Sequence, residues 1–133
     1  MKFEDIESLI QTASLHPNSE VRWCNSEEHF LSENSPDSSP GFKINEFGYY
    51  IIGTTIGGNA ISYCPNDDTF KFCDHTGWYE DFMSYESENE EYIESPYSKE
   101  AVSNAQVLIS SSKEQFLENC KNGKLELQIE ALD

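Results

Sequence analysis

Three short runs of β-forming residues, separated by two turn signals, constrain the fold of this 133-residue chain more than any other feature. The first turn, Gly57-Gly58-Asn59, consists of residues that tolerate a positive φ angle. In the second, Pro65-Asn66-Asp67-Asp68, proline fixes φ, and Asn and Asp side chains bond to nearby backbone. The sequence therefore predicts an antiparallel β-meander over residues 42–75, whose first strand begins near Phe42 and Ile44.

Helical spacing is clearest before and after this stretch. Apolar residues over 3–14 recur every three or four positions and predict an N-terminal helix. Over 105–122, a run of apolar residues predicts a strand, and a serine capping signal followed by Phe116 and Leu117 predicts a helix that ends at Asn122-Gly123.

The remaining segments give weaker signals. Residues 20–31 fit a short strand at Val21–Cys24 or a brief helix capped by Ser26, and residues 32–41 are rich in Ser and Pro and predict a loop. Beyond the last helix, alternation of Leu125, Leu127 and Ile129 favours a short final strand. Together these elements predict a single α+β domain, with an antiparallel-rich β-sheet and helices packed beside it.

The net charge of −17, from 25 acidic and 8 basic residues, restricts the class of partner. Such a chain cannot displace counterions from nucleic acid as ordinary phosphate-binding proteins do, and it is repelled by anionic membranes. Its electrostatic field instead favours a partner protein with a basic surface. The N-terminal sequence does not resemble a secretory signal, and the four cysteines are scattered, so we expect a cytoplasmic protein with free thiols.

Residues 80–98 concentrate this charge, with seven acidic residues and no Lys or Arg. Near-helical spacing of the aromatic residues favours an acidic amphipathic helix, and a solvated loop fits equally well. Aromatic side chains between acids would anchor a partner that the acids attract, although a charge run is often only a solvated surface. The partner-binding residues that we predict here are Glu80, Asp81, Phe82, Tyr85, Glu86, Glu88, Glu90, Glu91, Tyr92 and Glu94.

Groupings of residues that could support catalysis are few. Cys73-Asp74-His75 with Cys64 offers at most three zinc ligands, one fewer than a structural site requires. Cys24 and His29 could form a nucleophile and base, but no third group orients them. The Gly57-Gly58 turn precedes a strand and not the helix N-terminus that a phosphate-binding loop needs. We therefore predict no catalytic residues, metal or cofactor.

The order of these segments resembles the SUKH superfamily, which includes bacterial toxin-immunity proteins and fungal regulators of cell-wall assembly. The resemblance covers roughly residues 42–121, and its first motif is Ile52-Gly53 at the end of a predicted strand. It continues through the glycine turn into Ala60-Ile61-Ser62-Tyr63, the Pro65 turn, and the strand that ends in Cys73-Asp74-His75. It closes with Ile109-Ser110-Ser111-Ser112 and Phe116-Leu117. The residues that we assign to the structural motif are Ile52, Gly53, Gly57, Gly58, Asn59, Pro65 and Asp74.

This resemblance implies a compact sheet with helices beside it and no catalytic activity. For bacterial members it also implies binding and neutralisation of a toxin domain. We therefore expect an immunity protein that forms a stoichiometric complex with a toxin domain carrying a basic surface, for example a nuclease. Two alternatives remain open: an intracellular regulatory scaffold resembling the fungal branch, and an acidic mimic of nucleic acid.

Overall fold

The computed structural model describes residues 1–16, 18–35, 44–74, 83–86, 91–94 and 99–133. These residues form a single-domain α+β fold. The helices are α1 (Phe3–Ser14), α2 (Glu27–Glu33), α3 (Lys99–Asn104), α4 (Lys113–Lys121) and α5 (Lys124–Leu132). The strands are β1 (Val21–Trp23), β2 (Tyr50–Thr55), β3 (Ala60–Cys64), β4 (Thr69–Cys73), β5 (Met83–Glu86), β6 (Glu91–Glu94) and β7 (Gln106–Ser110).

The main sheet has five strands in the order β1-β2-β3-β4-β7, and every neighbouring pair is antiparallel. β2, β3 and β4 form the predicted meander, joined by the glycine turn and the Pro65 turn. The register of β2 against β3 shifts between Ile51 and Gly53, which marks a β-bulge in β2. β7 is the last of the described strands along the chain, and it pairs with β4.

Local capping chemistry explains where two of the helices begin. Ser26 has extended backbone and its hydroxyl accepts a hydrogen bond from His29 N at 3.1 Å, so α2 starts at the next residue. Ser112 caps α4 in the same way by accepting from Gln115 N at 3.1 Å. Gly123, with φ of +80°, ends α4 in the left-handed region that favours glycine. The predicted cap and stop signals are therefore confirmed.

One face of the sheet is covered by α1, α2, α4 and α5, and most of the core lies there. Its centre is a column of aromatic rings. Phe70 of β4 stacks on Phe116 of α4 with ring centroids 4.0 Å apart, and Tyr63 and Trp23 contact this pair at 4.7 and 5.8 Å. Phe70 and Phe116 are fully buried, and each such side chain contributes about 1.5–3 kcal/mol through burial alone.

The opposite face holds a smaller apolar cluster, formed by Ile44, Tyr49, Ile51, Ala60, Cys64, Cys73 and Val102. Val102 extends this cluster from α3, and Ile44 from a helical turn at residues 44–45. Beside it, the buried hydroxyl of Ser62 donates to Gln106 Oε1, whose amide nitrogen donates in turn to Val102 O. The polar groups of this thinner layer thus satisfy one another.

Three sequence-based predictions are wrong in part. The loop predicted over 32–41 begins later, because α2 continues to Glu33, while residues 36–41 lie outside the described part of the chain. The strand predicted to start near Phe42 and Ile44 begins only at Tyr50. Ile44 instead lies in a helical turn, where its carbonyl accepts from Phe47 N and Tyr49 N.

The third wrong prediction is the final strand. Leu125 and Ile129 are fully buried but Leu127 is 65% exposed, and these residues lie in α5. Positions i and i+4 share a helix face, whereas a strand would place all three side chains on one side. Among the described residues, no helix is long and apolar enough to span a membrane.

Candidate protein-binding surface

The acidic segment contains a β-hairpin where the structure describes it. β5 and β6 pair antiparallel as a separate two-stranded sheet, with Tyr85 in register with Tyr92 and Glu86 with Glu91. The amphipathic helix predicted for part of 80–98 is therefore wrong for these strands, which also contain Glu94. The other predicted partner-binding residues, Glu80, Asp81, Phe82, Glu88 and Glu90, lie outside the described residues.

The motif residues of the meander have identifiable packing roles. Ile52 is fully buried in the larger core. A Cβ on Gly53 would lie 3.1 Å from Val21 Cγ1 and 3.2 Å from Trp23 Cε3, so glycine lets β1 lie close against β2. Pro65 is exposed in the turn after β3, as a turn proline should be, and Asp74 directly follows β4.

The glycine turn holds the carboxylate of Asp133. Gly57 N donates to Asp133 Oδ2 at 2.8 Å, while Asn59 Nδ2 donates to Oδ1 at 2.8 Å and Thr55 Oγ1 to the same oxygen at 2.5 Å. A Cβ on Gly57 would lie 2.6 Å from Oδ1, too close for any real contact. Gly58 has φ of +82° and completes the turn. The motif therefore attaches the end of α5 to the sheet.

The second turn is also attached to a helix. Asp68 adopts a positive φ of 61° and accepts from Tyr63 Oη at 2.8 Å and from Lys113 N, at the start of α4, at 2.9 Å. Burial, followed by the hydrogen bond to Asp68 and its charge, raises the pKa of Tyr63. Lys113 Nζ also lies 5.6 Å from the centroid of the Tyr63 ring. The acidic residues of this turn thus have a structural function.

A groove of about 660 Å³ lies between the N-terminal parts of α1 and α2. Phe3 and Phe30 form its apolar floor, with ring centroids 5.9 Å apart. Leu31, which follows the buried Phe30, is 57% exposed and also lines the groove. The full set of lining residues is Met1, Lys2, Phe3, Glu4, Glu7, Glu27, Phe30 and Leu31.

Carboxylates dominate the charge around this groove. α1 and α2 contain no Lys or Arg, and their six acidic residues are Glu4, Asp5, Glu7, Glu27, Glu28 and Glu33. Within the described part of the chain, His29 Nε2 lies 3.6 Å from Glu33 Oε1, and neither residue lines the groove. The lining residues supply three carboxylates against two ammonium groups, those of Lys2 and of the Met1 N-terminus, so acids outnumber cations in the groove.

Acidic residues in the first turn of a helix are attracted to the positive end of the helix dipole and so stabilise the helix. This stabilisation accounts for part of the acidic charge around the groove. Asp5 also accepts from Lys2 N at 2.8 Å. Glu7 lies beyond the first turn, where it accepts a hydrogen bond from Gln11 at 3.3 Å. Sequence reasoning missed the groove, although the succession Phe30-Leu31 was a signal, since a short surface helix buries only one of two adjacent apolar residues.

The thiols are buried and protonated at neutral pH. Burial raises the pKa of Cys24 and Cys73 to about 12 and that of Cys120 to about 11. Cys24 Sγ lies 3.9 Å from Ile51 O, whereas His29 pairs with Glu33, so the structure does not couple Cys24 to His29 as a nucleophile and base. A buried thiol of raised pKa is a poor nucleophile.

The proposed ligand cluster around Cys73 cannot be assembled from the described residues, because His75 lies outside them. Cys64 and Cys73 both belong to the smaller apolar cluster. Within the described ranges, no group of three or more His, Cys, Asp or Glu side chains could hold a metal ion.

Comparison of the chain with protein-family models, with curated proteins and with solved structures gives no match.

Proposed function

We propose that this chain is a non-catalytic binding protein that neutralises a toxin domain by forming a stoichiometric complex with its basic surface. The observation that carries the proposal is the net charge of −17. The chain acts by covering the toxin and not by modifying it, because steric and electrostatic occlusion requires only a complementary surface.

The distribution of the carboxylates supports a role in binding. Glu4, Glu7, Glu27 and Glu28 are exposed on α1 and α2, and none of them forms an ion pair with another described residue. Unpaired surface carboxylates repel one another and destabilise the compact state, so they carry a cost that a cationic partner would relieve. The acidic hairpin of β5 and β6 adds further charge to the same molecule.

The resemblance of residues 42–121 to the SUKH superfamily supports a toxin as the class of partner. A nuclease is the toxin class that the charge favours, because a protein that grips nucleic acid exposes a basic surface. The cytoplasm is the compartment that we propose, since such a toxin would reach its substrate there.

Co-expression with toxin domains encoded beside the gene tests this proposal. We expect this chain to rescue growth and to co-purify with one such domain in a 1:1 complex. Replacing Glu86, Glu91 and Glu94 by Gln should slow association about 3- to 10-fold at low salt and change dissociation less. The matched control replaces Glu114, Glu118 and Glu130, three exposed acids on α4 and α5, by Gln.

Three outcomes would contradict the proposal. If no neighbouring gene encodes a toxic domain, or none of these domains binds, the immunity function is wrong. Recovery of a signalling complex in place of one toxin would instead favour the regulatory scaffold. Competition with DNA for unrelated DNA-binding proteins would favour the nucleic-acid mimic.

A further inference from the structure

We infer that the groove between α1 and α2 is a docking site for a cationic segment of a partner protein, anchored by an apolar side chain. This inference rests on the proposed protein-binding function, and it names a surface and a partner chemistry for it. The segment would place its apolar residue against Phe3, Phe30 and Leu31, with Lys or Arg side chains toward the acids on the rim.

The apolar floor supplies the anchor position. The groove volume of about 660 Å³ lies within the range of about 300–1,000 Å³ in which proteins bind ligands. Leu31 gains only part of the possible burial in the free protein, since more than half of its surface faces solvent. An apolar side chain from a partner would bury Leu31 together with the exposed part of Phe3. Burial of such anchors supplies most of the affinity in protein interfaces.

The rim determines which partner fits. Glu4 and Glu7 from α1 and Glu27 from α2 line the groove, so carboxylates flank the apolar floor on both helices. Opposite charges attract more strongly near a protein surface than in bulk water, because the effective dielectric constant is lower there. The opposing charges in the lining are the ammonium groups of Lys2 and of the Met1 N-terminus, and the latter donates to Tyr50 Oη at 3.2 Å. A partner with two or more cations around one apolar residue therefore complements the groove.

The same charges disfavour two other occupants. A second copy of this chain carries −17 as well, so docking copies on this face would bring like charges together. A nucleic-acid strand is disfavoured for the same reason. A basic amphipathic segment is the occupant whose charge and apolar content both match the groove.

Titration with a labelled peptide tests the inference directly. The probe is a fluorescein-labelled peptide of about 14 Lys and Leu residues with Leu at helical spacing, near the length at which isolated helices become stable. Two control peptides keep the length, one with Ser in place of Leu and one with Glu in place of Lys. We expect the Lys-Leu peptide to bind at least tenfold more tightly than either control, with amide chemical shifts changing in α1 and α2.

Matched protein variants separate the groove from the overall charge. Replacing Glu4, Glu7 and Glu27 by Gln should weaken binding at least tenfold, whereas the triple Gln variant at Glu114, Glu118 and Glu130 removes the same charge and should change it less than threefold. Leu31→Gln should weaken binding at least fivefold. Leu15→Gln, at a position 77% exposed beyond the end of α1, is its control.

Equal effects of the two triple variants would overturn the inference, as would an unchanged affinity of Leu31→Gln or shifts confined to other elements. Circular dichroism of each variant excludes unfolding as the cause, and Leu31→Ala replaces Leu31→Gln if the latter does not fold. The two proposals fail separately. Peptide binding in the groove without any neighbouring toxin would refute only the immunity function, whereas a toxin complex unaffected by groove variants would refute only the docking site.

Discussion

Replacing Gly57 by alanine should lower the free energy of unfolding by about 1–3 kcal/mol, through loss of hydrogen bonds and not through backbone strain. The φ angle of Gly57 is not positive, so alanine can adopt its backbone conformation. The new Cβ would instead lie 2.6–2.8 Å from the carboxylate atoms of Asp133. Asp133 is exposed, so its side chain can rotate away from the new Cβ, and the carboxylate then leaves these three donors.

The magnitude follows from those partners. Gly57 N, Thr55 Oγ1 and Asn59 Nδ2 all donate to this carboxylate. Hydrogen bonds to charged groups contribute about 1.5–3 kcal/mol each in protected sites, but Gly57 and Asp133 are exposed and water replaces part of the loss. Thr55 and Asn59 are only 8% and 4% exposed, so their donors are rehydrated poorly. A total of about 1–3 kcal/mol is the result.

A double-mutant cycle with Asp133→Ala checks this reasoning by urea unfolding. Without the carboxylate, Gly57→Ala should be neutral or should stabilise by about 0.4–1 kcal/mol, because alanine restricts the unfolded chain. The coupling energy should therefore be about 1–4 kcal/mol. An equal cost of Gly57→Ala in both backgrounds would show that the turn and not the carboxylate is responsible, and the argument would fail.

Three further predictions concern the core, the thiols and acid stability. Phe116→Ala should cost about 3–5 kcal/mol in urea unfolding, whereas Leu127→Ala, at an exposed position, should stay within about 0.5 kcal/mol; comparable costs would contradict the core assignment. The four buried cysteines, of which Cys24 is the least exposed, should react with Ellman's reagent only on unfolding, and one equivalent reacting rapidly in the native protein would contradict their burial. Hydrogen bonds from Ser19 lower the pKa of Glu126, so this contribution to stability is complete above the unfolded-state pKa and is lost as the pH falls through the folded-state value. Ser19→Ala removes the hydroxyl donor and keeps the backbone donor, so it should partly flatten the acid side of the stability profile between about pH 6 and 3, and an unchanged slope would exclude a contribution from the hydroxyl.

The elements predicted correctly from the sequence are those fixed by short-range chemistry. Ser26 and Ser112 cap helices through hydroxyls that accept from the backbone N–H three residues ahead, and Gly123 ends a helix because its backbone reaches the left-handed region at little cost. The meander was predicted from alternating apolar residues and from turn residues, and each of these signals spans fewer than about ten positions. The α+β class followed from the order of these segments.

The sequence alone determined the charge, the turns, the helix caps and hence the class of fold. Only the tertiary structure decided what depends on contacts between distant residues. Leu125, Leu127 and Ile129 fit a strand as well as a helix until packing against the core selected the helix that buries Leu125 and Ile129. The groove likewise exists because α1 and α2 pack side by side. The residues next to Glu7 or Leu31 in the sequence do not indicate that these two side chains line the same groove. The free energy of packing depends on contacts between residues far apart in the chain, so no short stretch of sequence predicts it.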